Sequence, residues 1–145
     1  MIPRYSREAM RATWSDDRRL EWWLAVELAV LEARERHGEL PAGTAGRIRS
    51  HARLDARRAL EIEAEVHHDV IAFLSMLAES IGDDARLVHA GLTSSDLVDT
   101  ALACQIQEAG RAVSGALAAV RSAAWALAQK HRATPMVGRT HGVHA

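Results

Sequence analysis

The sequence has one cysteine, three prolines, one tyrosine, one phenylalanine and a single lysine, Lys130. With Cys104 as the only thiol, no intrachain disulfide can form, and nothing points to an oxidising compartment. Charge of one sign is missing too: 18 basic against 19 acidic side chains leave a formal net charge of -1. Such a chain raises no global field to recruit nucleic acid or an anionic membrane surface, so any anion has to be bound by local groups. The scarcity of lysine against arginine reflects base composition as readily as a need for bidentate anion contacts. No apolar run approaches the roughly 18 to 20 residues of a membrane span. Arg111, Arg121 and Lys130 interrupt the most apolar region, and the opening Met1-Ile2-Pro3-Arg4-Tyr5 has no apolar leader core. A cytoplasmic protein without membrane or nucleic-acid partners is the expectation.

What is present is an ordinary globular composition, 48% hydrophobic and 26% charged, with apolar residues at helical spacing and no internal repeat. An all-α fold follows. Ser15-Asp16-Asp17 supplies a cap and an acidic first turn to a helix carrying Leu20, Trp23, Leu24, Leu28 and Leu31, which Gly38 and Pro41 end. A shorter helix is expected from Thr44 to His51. Asp55 caps the next, which bears Leu60, Ile62 and Val66, and His67-His68-Asp69 interrupts the pattern. With Asp69 as N-cap, a further apolar series runs through Val70, Phe73, Leu74, Leu77 and Ile81 to Gly82.

The most informative segment is a helix expected from about Asp96 to His131, roughly 50 Å long at 1.5 Å per residue. Between Ala101 and Gln129 its only charges are Glu108, Arg111 and Arg121. A helix so weakly charged all round is usually buried on several sides. Further chain, partner subunits or both must then supply the cover, unless it is simply an exposed Ala-rich helix. The expected organisation is a small N-terminal helical domain, 1–93, followed by 94–145 as the start of a long-helix bundle. Residues 138–145 end in what looks like a site loop with no helix stop, and truncation is the expectation.

Eight histidines invite a metal, but the spacing argues against one: His141 and His144 sit in a Gly-containing loop, His67 and His68 are adjacent, and no Cys or acidic ligand falls at zinc-motif spacing. Gly91-Leu92-Thr93-Ser94-Ser95-Asp96 places hydroxyls where the long helix begins, a position whose free N–H groups suit an anion. The same Thr93 and Asp96 also make an ordinary capping pattern. His67 and His68 are either imidazoles poised for proton transfer or surface residues of a helix–helix turn. His141, flanked by Gly138 and Gly142, is a general-acid candidate or part of a plain turn. His37, His51 and His131 fit capping or surface roles, and His89 is undecided.

Taken together, four segments resemble the fumarase/aspartase superfamily and, within it, the adenylosuccinate lyase family. They are Arg4-Tyr5-Ser6, then His68-Asp69-Val70-Ile71-Ala72-Phe73, then the stretch from Val88 through Gly91-Leu92-Thr93-Ser94-Ser95-Asp96 to Ala101, and Gly138-Arg139-Thr140-His141-Gly142-Val143-His144-Ala145. Each is weak alone; in order and register they are specific, and the His-Gly-Val-His-Ala ending sets this family apart from its relatives. The resemblance implies a homotetramer with a bundle of long helices and active sites shared between subunits. It implies elimination of fumarate from a succinylated purine nucleotide, a small-molecule substrate, with no cofactor and no metal.

By the same resemblance, His141 is the general acid, with His68 and His89 in support. Arg4, Tyr5, His67, His68, Asp69, Thr93 and Ser94 would contact the substrate, the first two at the nucleotide. The family usually carries Arg or Lys where this chain has His67, so a titrating charge stands in for a permanent one. Its base is a Ser on a mobile loop that these 145 residues do not contain, and the chain by itself is expected to be inactive. Another lyase or cycloisomerase of the superfamily is the near alternative, and a non-catalytic helical oligomerisation module the distant one.

Overall fold

In a computed structural model, which describes residues 2–144, helix boundaries fall where side chains can satisfy the free ends of the backbone. The last residue of the final motif, Ala145, lies outside the described residues. A 3₁₀ turn at Pro3–Tyr5 leads into α1 (Glu8–Thr13) and then α2 (Asp16–Arg36). The Ser15 hydroxyl accepts the Arg18 N–H at 3.1 Å, and Asp16 and Asp17 place negative charge at the positive end of the α2 dipole. His37 is the C-cap of α2 and Gly38 follows with φ 74°, a left-handed conformation that glycine adopts without steric cost. Helix α3 (Thr44–His51) follows, and α4 (Ala56–Val66) begins at Asp55, whose carboxylate accepts the Arg58 N–H at 3.0 Å.

Helix α5 (Asp69–Ile81) starts one residue earlier than its expected cap allows. His67, at φ 54°, ends α4 in the left-handed region and turns the chain; His68 is then extended and becomes the N-cap. Asp69 therefore sits in the first turn, where its charge meets the helix dipole. A 3₁₀ segment, Gly82–Leu87, leads on to α6 (Ser94–Lys130).

The described residues fall into two units that divide in sequence between Gly110 and Arg111. The core of the first draws Leu20, Trp23, Leu28 and Leu31 from α2, Ile48 from α3, Val70, Phe73 and Leu77 from α5, and Leu97 and Ala101 from α6. Trp23 and Phe73 meet edge to face, with ring centroids 5.4 Å apart at 87°. Each such fully buried side chain contributes about 1.5–3 kcal/mol. The start of α6 is tied to α1 and α2 by polar contacts as well. Gln105 donates to the Thr13 carbonyl at 3.0 Å, and Glu108 accepts from Arg18 Nη2 at 2.9 Å, Arg18 Nε at 3.0 Å and Trp22 Nε1 at 3.1 Å.

In the second unit, the 111–130 stretch of α6 leaves Val113, Leu117, Val120, Trp125 and Leu127 exposed. The fold is helical as expected, with one departure: β1 (Arg139–Thr140) and β2 (Val143–His144) form a two-residue antiparallel pair. No helix among the described residues is long and apolar enough to cross a membrane.

Candidate active site

The first unit holds Arg4, Tyr5, His67, His68, Asp69, His89, Thr93 and Ser94; His141 belongs to the second. At the N-terminal turn the Arg4 guanidinium stacks over the Tyr5 ring, 4.7 Å from its centroid, and both side chains are exposed. A cation laid on an aromatic face presents one positive, stackable edge to a ligand.

At the α4–α5 turn, His68 Nδ1 faces two groups. It accepts the Ile71 N–H at 3.4 Å and lies 3.5 Å from Asp69 Oδ1. These contacts demand opposite protonation at Nδ1: the neutral ring caps the helix and carries its proton on Nε2, while the cationic ring pairs with Asp69. His68 and Asp69 side chains are nearly half exposed, so either state meets solvent. His67 lines an open recess of about 350 Å³ with Leu60, Glu63 and Ala64. Its left-handed φ of 54° is one that His tolerates better than most residues with a Cβ.

At the start of α6 the capping pattern is realised. Thr93 donates to Asp96 Oδ2 through its N–H at 2.8 Å and its hydroxyl at 3.0 Å, and the Asp96 N–H points back at the Thr93 hydroxyl at 3.4 Å. The Thr93 N–H and hydroxyl hold the Asp96 carboxyl below the usual carboxylate range; desolvation opposes this, and the nearby His89 adds a smaller push in the same direction. Ser94 opens the helix and is half-buried.

His89, undecided from sequence, has a well-defined place. Its Nδ1 lies 2.6 Å from Glu27 Oε1 and its backbone N–H donates to Glu27 Oε2 at 2.9 Å. Glu27 is 1% exposed and the His89 side chain 16%. A buried carboxylate acts as acceptor, so the His89 proton sits on Nδ1 and Nε2 is left for other partners. Sequence reasoning missed Glu27. Its signal was a carboxylate on the apolar stripe of α2, four residues after Trp23 and just before Leu28.

In the second unit, Arg139 pairs with His144 and Thr140 with Val143, leaving His141 and Gly142 as the two residues of the hairpin turn. Both have positive φ, 50° and 79°, as tight hairpin turns require. The glycine after His141 is therefore needed for the turn, and the imidazole stands exposed on it.

Other histidines are engaged locally: His51 Nδ1 lies 2.9 Å from the Arg47 carbonyl and His131 Nδ1 3.2 Å from the Thr134 hydroxyl. Among the described residues, no group of three or more His, Cys, Asp or Glu side chains is placed to hold a metal ion. A recess of about 680 Å³, lined by Trp22, Ala25, Val26, Ala29, Leu92 and Asp96 among others, is apolar and none of the expected site residues lines it.

Comparison with known proteins places these features in context. A family model described as lyase matches residues 4–145. Adenylosuccinate lyases from Synechocystis sp., Staphylococcus saprophyticus and Thermotoga maritima are 47%, 44% and 41% identical to this chain over 145 residues, covering 100% of the chain and 34% of each relative. The chain thus spans about a third of the length of the curated relatives it matches. Among solved structures, a fumarate lyase from Mesorhizobium sp. BNC1 gives a TM-score of 0.84 at 30% identity, covering 97% of this chain and 35% of that one.

Proposed function

The chain belongs to the lyase family, and from that premise we propose that the complete protein is an adenylosuccinate lyase. It would eliminate fumarate from adenylosuccinate, giving AMP, and from the succinylated imidazole-carboxamide ribotide of purine synthesis. The observation that carries this reading is the 41–47% identity with three adenylosuccinate lyases along the whole of the chain. The domain division at 93/94, the homotetramer with sites shared between subunits and a cytoplasmic location belong to the same proposal.

The elimination removes a proton from the carbon beside a succinyl carboxylate and then breaks the C–N bond. Negative charge grows on the succinyl group, so donors aimed at its carboxylates stabilise the transition state. The N-terminal end of α6 with Ser94, the imidazoles of His68 and His89, and Thr93 once its N–H and hydroxyl leave Asp96 would be donors of that kind. Neutral His68 offers an Nε2–H; neutral His89 offers an Nε2 lone pair and, when cationic, a charged N–H. Arg4 and Tyr5 would take the nucleotide end, with His67 and Asp69 beside His68. The departing purine nitrogen needs a proton, which His141 would supply from its turn. The base would be a Ser on a loop outside these 145 residues, so the chain alone is proposed to be inactive.

The test is fumarate release from adenylosuccinate by the complete protein, followed by ultraviolet absorbance; no release by folded protein would reject the reading. In an active enzyme, His141→Gln keeps a polar side chain of similar reach that cannot deliver a proton, and turnover should fall by roughly 10²–10⁴-fold. Analogues with better leaving groups need less protonation, so the variant should recover rate on them. Equal losses on both substrates would make His141 a binding residue instead.

A further inference from the structure

We infer that Glu27 is a positioning residue for the reaction: its buried carboxylate fixes the tautomer and direction of His89, so that Nε2 of that ring meets the substrate. The inference rests on the lyase reading above and adds to it a residue that contacts no ligand itself.

Glu27 lies in the middle of α2, on the stripe that buries Trp23, Leu28 and Leu31, and is 1% exposed. Burying a carboxylate is costly unless it is paired and hydrogen-bonded. Here the two oxygens divide the work. Oε2 accepts the His89 backbone N–H at 2.9 Å, and Oε1 takes the ring at Nδ1 at 2.6 Å. Main chain and side chain of one residue are therefore held from a single point, across 62 positions of sequence.

His89 also has a φ of 60°, a left-handed conformation that glycine adopts without steric cost and that His only tolerates better than most residues with a Cβ. If the carboxylate merely anchored the turn, a glycine at 89 would adopt this φ freely and still donate its N–H to Glu27. Anchoring the turn does not call for an imidazole; its pairing with Oε1 offsets the burial of the carboxylate and at the same time fixes the ring. With Nδ1–H directed at Glu27, the ring keeps the same bond whether neutral or cationic, and its direction does not depend on which state the substrate meets. A carboxylate behind one ring nitrogen orients the other in this way in many histidine sites. The turn that begins α6 is within electrostatic reach, since Asp96 feels the His89 charge.

The experiment uses the complete protein and two amides that each copy one half of the ring. His89→Asn places an N–H near Nδ1, keeping the contact with Glu27, and has nothing at Nε2. It should unfold at the wild-type temperature and lose kcat/KM by at least the factor that Glu27→Gln loses, about tenfold to a hundredfold as when the outer partner of a functional histidine is removed. Glu27→Gln keeps the shape but not both acceptors, and should lose a similar factor. Added to His89→Asn, it should cost no further rate, because Glu27 acts only through the ring.

Wild-type activity in Glu27→Gln would overturn the inference, as would a Glu27→Gln penalty undiminished in the His89→Asn background. Should Glu27→Gln fail to fold, His89→Gln replaces it: this variant keeps a donor near Nε2 and gives up the one to Glu27, and wild-type kcat/KM in it would overturn the inference equally. Failure of the lyase reading is visible separately, as absence of fumarate release from the unaltered protein.

Discussion

Glu108 gathers donors from the end of α1 and from α2 onto one carboxylate of α6, and the consequence is a titration. The Arg18 hydrogen bonds hold its carboxyl below the ordinary range; desolvation pushes the other way, and Trp22, the Arg18 charge and Thr13 assist the lowering. A group whose folded value is depressed contributes its full share above its unfolded value, and that share is lost as pH falls through the folded one. The loss therefore falls in acid, below the usual carboxylate range. Glu108 and Arg18 side chains are 30% and 37% exposed, so solvent screens the pair and its worth is about 1 kcal/mol or less. Glu108→Gln should lower stability at neutral pH by that amount and show a smaller further decline in acid than the unaltered protein. Urea midpoints measured from neutral pH down to acid check this; an unchanged slope of stability against pH would show that another carboxylate governs it.

Among the elements, α2 illustrates what a cap contributes. Ser15→Ala removes the acceptor at the Arg18 N–H, and the urea midpoint should fall by the equivalent of about 1 kcal/mol with an unchanged slope against denaturant. A value indistinguishable from zero would mean that Asp16 and Asp17 alone start the helix. Caps also explain what could be read in advance. Ser15, Asp55, Thr93 and Gly82 each satisfy or release the backbone within a few residues of themselves, so α2 to α6 begin and end close to where the sequence indicates. Helix α1, six residues long, is too short for its periodicity to register. The α5 cap moved from Asp69 to His68 because the left-handed His67 sets the turn, and a backbone dihedral leaves little trace in composition. Likewise β1 and β2, two residues each, cannot show alternation, although the His141-Gly142 pair between them was visible as a turn. The candidate site was legible as motifs; the Glu27–His89 contact was not, since its partners stand 62 positions apart and only the fold joins them.

At the scale of the whole chain, the contrast between the two stretches of α6 matters most. Leu97, Ala101 and Gln105 are buried in the first unit, whereas Val113, Leu117, Val120 and Leu127 in the second are exposed. Exposed apolar stripes mark surfaces that seek a partner. Residues 1–145 alone should therefore self-associate, with a sedimentation coefficient that rises with concentration; a monomer at all concentrations in analytical ultracentrifugation would count against it. Two tryptophans stand on opposite sides of this contrast. Trp23 is enclosed against Phe73, while Trp125 stands on the exposed 111–130 stretch and is 66% exposed. The chain thus carries its own fluorescent reporter, because indole emission moves to shorter wavelength as water leaves the ring. An association that covers the 111–130 stretch around Trp125 as well should shift the Trp125 component to the blue while Trp23 stays constant, so it can be followed by light alone, without a label.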